Sequence, residues 1–282
     1  MEEFENNFCA GNLWVEVSNI LKGSLFKNSF NLGQYYNQMV KNYNSSLTEL
    51  NRFNNILIND LGEFETLLKS KSEIKNIGVD LPIYIGDIEN KNKIMIIAMD
   101  PKRSGQENDE ITLNSVFSIH SKKHGRETKS NDYWKFIEPL TKENLVYLTD
   151  IYKIYYEFED NGIKKISNKD KSFIGSESVY MKMNKSILEN EIRCLQPNKI
   201  ITMGKAPENA LKSMFGIKAG LFYKNNGIEY IFMPHISRTV TQSITTIGSL
   251  YETIGKIKGE KKLEDLGKQI KISRDLALGN HS

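Results

Sequence analysis

The chain has 282 residues, 39% hydrophobic and 26% charged, with a formal net charge of +3; this is the balance of a globular protein with one large domain or a core domain carrying an extension. No apolar run approaches the roughly 20 residues that cross a bilayer. Residues 1–7 are acidic and polar, unlike the basic start and apolar middle of a secretory signal, so the expected location is the cytoplasm. Cys9 and Cys194 alone can build neither a disulfide framework nor a four-cysteine metal site, and they read as buried free thiols.

Residues 1–75 are predicted to form a helical N-terminal extension. One helix is expected near 32–43. A second, amphipathic helix is expected over 47–68, where Leu47, Leu50, Phe53, Leu57, Leu61, Phe64 and Leu68 recur every three or four residues. Then the pattern changes. Residues 83–85 read as a short strand, and four unbroken apolar runs follow at 93–99, 145–151, 199–203 and 228–233. Continuous apolar strands mark a parallel sheet covered on both faces. Helical stretches lie between them at 132–140, 177–195 and 207–215. The predicted fold class is therefore α/β: a three-layer α/β/α sandwich with a central, mostly parallel four-stranded sheet over 76–258. A charged tail, 259–282, carries one more helix near 263–272.

In such sheets ligands bind beyond the carboxyl ends of the strands. Asp100, Asp150, Gly204-Lys205 and His235 follow or end the apolar runs, so they are expected to converge on one edge. A carboxylate at Asp100 could orient a water or face a developing cation, or it could be a turn acid or helix cap. His235 reads either as a catalytic group or as a satisfied buried histidine. Lys102, Arg103, Lys122, Lys123, Arg126 and Lys129 cluster within a short stretch that could track phosphates or be a solvated basic loop. His120 and His124 have i,i+4 spacing but sit in loop-like sequence, so no metal site is expected there.

Several of these segments resemble the uracil-DNA glycosylase superfamily, in chain order over about 95–255. Ile97-Ala98-Met99-Asp100-Pro101 resembles its Gly-Gln-Asp-Pro-Tyr motif. Val116-Phe117-Ser118-Ile119 is similar to its Phe-Ser-Val segment. Val146-Tyr147-Leu148-Thr149-Asp150 resembles the strand ending in a base-reading asparagine. Lys199-Ile200-Ile201-Thr202-Met203-Gly204-Lys205-Ala206 is similar to its Leu-Gly-Lys-x-Ala strand, and Met233-Pro234-His235-Ile236-Ser237-Arg238 to its His-Pro-Ser loop.

The resemblance implies a DNA glycosylase without cofactor or metal, acting as a monomer on single- or double-stranded DNA. Breaking the N-glycosidic bond gives the sugar oxocarbenium character and the base negative charge. By resemblance Asp100 faces the cation and positions water, and His235 donates to the base oxygen. Phe117 stacks on the flipped base. Met99, Lys102 and Asp150 border the base. Arg103, Ser104, Lys205, Ser237, Arg238 and Thr239 meet the DNA, with Arg238 or Thr239 as the wedge.

Three departures bear on the substrate. Lys102 stands where uracil-specific members carry a tyrosine that excludes 5-substituted bases, so a larger 5-substituent is expected to fit. Asp150 replaces asparagine. A carboxylate accepts from the cytosine amino group, and if protonated it donates to N3, which favours a modified cytosine over uracil. Alternatively Asp150 is a structural acid and the base reader lies a residue or two away. Ile236 replaces a proline. The two cysteines also argue against the iron–sulfur cluster of one subgroup.

Such chemistry serves base-excision repair, or defence against phage with modified DNA. The competing reading is a catalytically inactive nucleic-acid-binding module on the same fold. A nucleotide-handling enzyme is disfavoured, because Gly204-Lys205-Ala206 does not fit a phosphate loop and no Gly-x-Gly-x-x-Gly follows a strand.

Overall fold

The computed structural model describes residues 7–44, 53–62, 64–69, 73–99, 101, 111–127, 132–160, 162–167, 169, 178–217 and 222–233, together with 248, 252, 261, 264, 265, 267 and 268. No helix among them is long and apolar enough to cross a membrane.

The chain begins with α1 (Leu13–Leu21) and α2 (Leu32–Asn44). α2 buries Leu32, Tyr35, Tyr36, Met39 and Tyr43, a stripe at steps of three and four. The long helix expected over 47–68 does not form. Phe53–Ile56 is a strand, β1; Ile58–Asp60 is a 3-10 turn; among the described residues of this stretch only Phe64–Lys69 is α-helical, α3. Asn54, Asn55, Asn59 and Gly62 are poor helix formers, and β1 finds a strand partner instead. Leu61, Phe64 and Leu68 are nevertheless fully buried, so the apolar spacing reflected the demand of the core and not one continuous element.

The rest runs β2 (Glu73–Leu81), β3 (Ile83–Ile85), β4 (Lys93–Ala98), β5 (Ile111–Ser115), α4 (Asp132–Thr141), β6 (Leu145–Asp150), β7 (Ile154–Asp160), β8 (Ile163–Ile166), α5 (Val179–Leu195), β9 (Lys199–Met203), α6 (Lys205–Phe215), β10 (Phe222–Asn225) and β11 (Ile228–Met233). Six strands form one sheet in the order β10-β11-β9-β4-β6-β3. The inner four, β11, β9, β4 and β6, are parallel, while β10 and β3 pair antiparallel at the edges. The fold is thus mixed α/β, and the expected four parallel strands form the centre of a wider sheet. Every residue of β6 is buried, as are all but the first of β4 and β9, which is why these runs carry no polar alternation.

A second sheet, β1-β5-β2-β7-β8, has no counterpart in the sequence reading. β2 pairs parallel with β5 and antiparallel with β7. Through β1, residues 53–56 contribute a strand to this sheet. The two sheets share a bent antiparallel ribbon. β2 passes into β3 across Pro82, and β6 passes into β7 across residues 151–153. Val79 faces Ile154 and Ile83 faces Leu148, so six steps on one strand oppose four on the other. Two extra residues at this point bend the ribbon out of one sheet into the next, and Asp150 sits at the bend.

The crossovers fix the layers. β4 connects through α4 to β6 on one side, whereas β6 connects through α5 to β9, and β9 through α6 to β11, on the other. Right-handed crossovers therefore put α4 on one face and α5 and α6 on the opposite face. Side chains agree: Thr149 of β6 bonds Glu191 of α5, and Lys212 of α6 lies over the ring of Phe232, which is in register with Thr202. Ser178 caps α5 by accepting from Met181 N, and Gln196 and Gly216 end α5 and α6 in left-handed conformation.

Candidate functional site

The helices that follow β4 and β9 in the chain, α4 and α6, lie on opposite faces, so the carboxyl ends of these strands mark the topological switch point of the sheet, where doubly wound folds place a ligand crevice. Asp150 closes β6 beside it. It is 2% exposed and in register with Ala98. Ile151 N donates to Ala98 O at 2.9 Å and Tyr152 N to Met99 O at 3.0 Å, which ties the bend after Asp150 to the end of β4. Because Thr149 points toward α5, Asp150, next in the strand, points to the α4 face. Met99 is half-buried against the core.

Across the crevice, Met203 and Met233 are in register, and Gly204 N donates to Met233 O at 2.8 Å. The ends of β4 and β11, which lead into Asp100 and His235, are separated by β9 alone, or roughly 10 Å at ordinary strand spacing. Asp100, Lys102, Arg103, Ser104, His235, Ser237, Arg238 and Thr239 themselves lie outside the described residues.

Phe117 occupies a tight turn, Val116–Ser118, that follows β5 and packs against β6. Its φ is 55° and that of Ser118 is 56°. Two successive non-glycine residues in left-handed conformation cost of order 1–3 kcal/mol each and persist only where their surroundings hold them. Here Ser115 Oγ lies 2.7 Å from His120 Nδ1 and accepts from His120 N at 3.3 Å, closing the base of the turn. Asn114 Nδ2 donates to Ser118 Oγ at 3.1 Å while Asn114 Oδ1 accepts from Ser115 N. Gly125 packs so tightly on the Ser118 carbonyl that no side chain fits there. The Phe117 ring lies on Tyr133 of α4, centroids 4.1 Å apart and planes 13° from parallel.

Lys205 begins α6. Its side chain is 74% exposed and bonds Glu208 Oε1 at 2.9 Å. Burial pushes the Glu208 carboxyl up, but hydrogen bonds from Lys212 and Lys205 outweigh it and hold it below its ordinary value. An exposed pair of this kind is weak, so Lys205 can turn to a phosphate at little cost. Of the basic cluster, Lys102, Arg103 and Lys129 lie outside the described residues. Arg126 lies 3.6 Å above the Tyr43 ring and donates to Tyr43 O, so it braces α2. Lys122 pairs with Glu127 at 3.4 Å and Lys123 is exposed. His120 is fully buried against Ser115, and among the described residues no group of three ligating side chains could hold a metal.

The sequence reading missed Tyr133, Ser115 and His120 around Phe117. Their signal was a run of polar residues, Asn114, Ser115, Ser118 and His120, enclosing one aromatic. It also missed a buried network behind Asp150. Glu191 accepts from Lys153 Nζ at 2.7 Å, from Tyr147 Oη at 3.1 Å and from Thr149 Oγ1 at 3.1 Å, and Lys153 Nζ also reaches Thr149. Lys153 N donates to Asn184 Oδ1 at 2.8 Å. This buried ion pair and its polar partners hold residues 149–153, and thereby the bend that carries Asp150.

Among the described residues an open cleft of about 420 Å³ lies at the opposite, amino edge, lined by Arg193, Phe215, Ile217, Asn226 and Ile228 among others. It is remote from the crevice and none of the expected site residues lines it. Comparison with protein-family models and with curated proteins finds no match.

Proposed function

We propose that this protein is a DNA glycosylase that extrudes an altered pyrimidine, a modified cytosine or uracil, and hydrolyses its N-glycosidic bond to leave an abasic site. The observation that carries the reading is that Asp150, a buried carboxylate, closes β6 while the strained, ring-stacked Phe117 turn packs against the same strand, at the carboxyl edge where β4 and β11 also end. An aromatic ring offered for stacking and a polar reader on the same strand are what recognition of a single nucleobase taken out of the stack requires.

In this reading the C1′–N bond breaks heterolytically. The electron pair goes to the base, and His235 donates a hydrogen bond to the base oxygen where charge builds. Asp100 faces the oxocarbenium sugar and accepts a proton from the water that adds at C1′. Asp150 accepts from the exocyclic amine of cytosine, and Met99 and Lys102 border the base's 5-position. Arg103, Ser104, Lys205, Ser237, Arg238 and Thr239 hold the backbone, as expected of a monomer working in the cytoplasm on DNA. The same reaction serves repair or defence against phage whose DNA carries bulky cytosines.

A panel of oligonucleotides, single- and double-stranded, tests this. It carries uracil, 5-hydroxymethylcytosine, glucosylated 5-hydroxymethylcytosine or a thymine mismatch, and strand scission is read after alkali. Scission at one or more of the modified-cytosine or uracil positions is the expected result. Binding without scission at any position would instead mark a nucleic-acid-binding module.

A further inference from the structure

The Phe117 turn is held from every side that the described residues supply. The Ser115–His120 clamp closes it below, Asn114 bonds Ser118 beside it, and Gly125 lies against the Ser118 carbonyl. Residues held in such strained conformations gather at sites where a ligand must be gripped in one geometry. What the strain achieves here is the delivery of one aromatic ring onto another. Phe117 and Tyr133 are nearly parallel at 4.1 Å, and both remain partly exposed in place of being sunk into the core. The pair joins two elements that both pack on β6, the turn after β5 and helix α4, on the face to which Asp150 points.

We propose that Tyr133 is a positioning residue that backs Phe117, making the two rings a double-layered stacking platform for a planar heteroaromatic ring, the extruded nucleobase. The proposal rests on the glycosylase reading for the identity of the base, but the platform itself needs only that a flat ring be bound. A phenylalanine alone on a turn would rotate about its side-chain bonds and lose that freedom on stacking. Covered on one face by Tyr133, it is set before the base arrives, and a ring ordered in advance binds with less loss of entropy. The tyrosine hydroxyl is not required for this; the ring is. Since the base stacks equally in the bound and reacting states, loss of the platform raises KM and leaves kcat nearly unchanged.

The test uses the full chain and the Tyr133→Leu and Tyr133→Phe variants, with thermal melting to verify that each folds. Two readouts run in parallel. The first is steady-state excision from the panel oligonucleotides. The second is the fluorescence of pyrrolocytosine placed in a duplex, which is quenched in the stack and changes when the base is drawn out. Tyr133→Leu is expected to raise KM, and the concentration for half-maximal fluorescence change, roughly 2- to 10-fold, the range set by ordering one side chain in advance. Tyr133→Phe is expected to match the wild type. If the wild type excises a base and Tyr133→Leu leaves KM unaltered, or lowers kcat alone, the platform is refuted while the glycosylase stands. If the wild type excises nothing yet gives the fluorescence change, and Tyr133→Leu weakens it, the platform stands and the glycosylase reading falls. No signal from the wild type in either assay refutes both. Should Tyr133→Leu fail to fold, Tyr133→Phe and Tyr133→His decide: equal KM for Phe with weakened binding for the smaller His ring supports the platform, and equal KM for both overturns it.

Discussion

Lys153 Nζ lies 2.7 Å from Glu191 Oε2, and both side chains are shut away from solvent between β6 and α5. Glu191 also takes the hydroxyls of Tyr147 and Thr149, so its two oxygens serve three donors. Removing one partner of such a pair leaves a charge with no compensation in a medium that solvates it poorly. Glu191→Gln is therefore expected to lower unfolding free energy by about 3–5 kcal/mol in urea melts. The double variant Lys153→Met/Glu191→Leu is expected to recover part of that loss, held back by the hydroxyls of Tyr147 and Thr149.

Asp150 closes β6 in register with Ala98 and is 2% exposed. A carboxylate only accepts, whereas an amide accepts and donates. Asp150→Asn is expected to shift preference from a cytosine-type base toward uracil by about 100-fold in the ratio of kcat/KM, as expected where a buried polar reader meets the wrong partner. Competition between 5-hydroxymethylcytosine and uracil duplexes measures it. An unchanged ratio would assign Asp150 to structure alone.

Gly125 meets the Ser118 carbonyl at a distance no Cβ tolerates, and its neighbours there are backbone atoms that cannot swing aside. Gly125→Ala is expected to cost about 1–3 kcal/mol and to disturb the Phe117 turn. Calorimetric melting reads the first effect and pyrrolocytosine fluorescence the second.

Burial pushes the Cys9 thiol up to about 12, against the help of a hydrogen bond from the backbone. An unfolded thiol ionises near about 8.5. Between these values the unfolded chain releases a proton that the folded chain retains, so stability falls as pH rises and is fully present below the unfolded value. Urea melts from pH 8 upward are expected to show this fall. Cys9→Ala is expected to reduce the lower part of the fall, leaving there the share of Cys194, whose thiol burial also pushes up to about 12, and above it that of Tyr36 and Tyr147, whose hydroxyls burial pushes up as well.

Local pattern revealed the parallel strands because both their faces are covered. Residues 199–203 and 228–233 match β9 and β11 at both ends, and β4 and β6 match to within one residue. The second sheet was hidden because its strands are short and carry polar residues. β5, Ile-Thr-Leu-Asn-Ser, is buried throughout but depends on β1 and β2, distant in sequence, and β8, Ile-Lys-Lys-Ile, forms a hairpin with β7 that its own polar residues do not announce. The apolar spacing over 47–68 carried no mark of where one element stopped; the asparagines and Gly62 did, and they outweighed it. At the site, the edge position of Asp150 followed from topology. The ring on Phe117 and the ion pair behind Asp150 did not, because Tyr133 and Glu191 come from helices whose facing is set only by the packed fold.

The central claim is that this chain cuts a base from its sugar using Asp100 and His235. The most direct measurement is mass spectrometry of free base released from a modified-cytosine or uracil oligonucleotide by the wild type, Asp100→Ala and His235→Ala. Release by the wild type, lowered roughly 100- to 10,000-fold in each variant, is the expected outcome. Release that persists undiminished in both variants, or no free base from the wild type with any oligonucleotide, would contradict it.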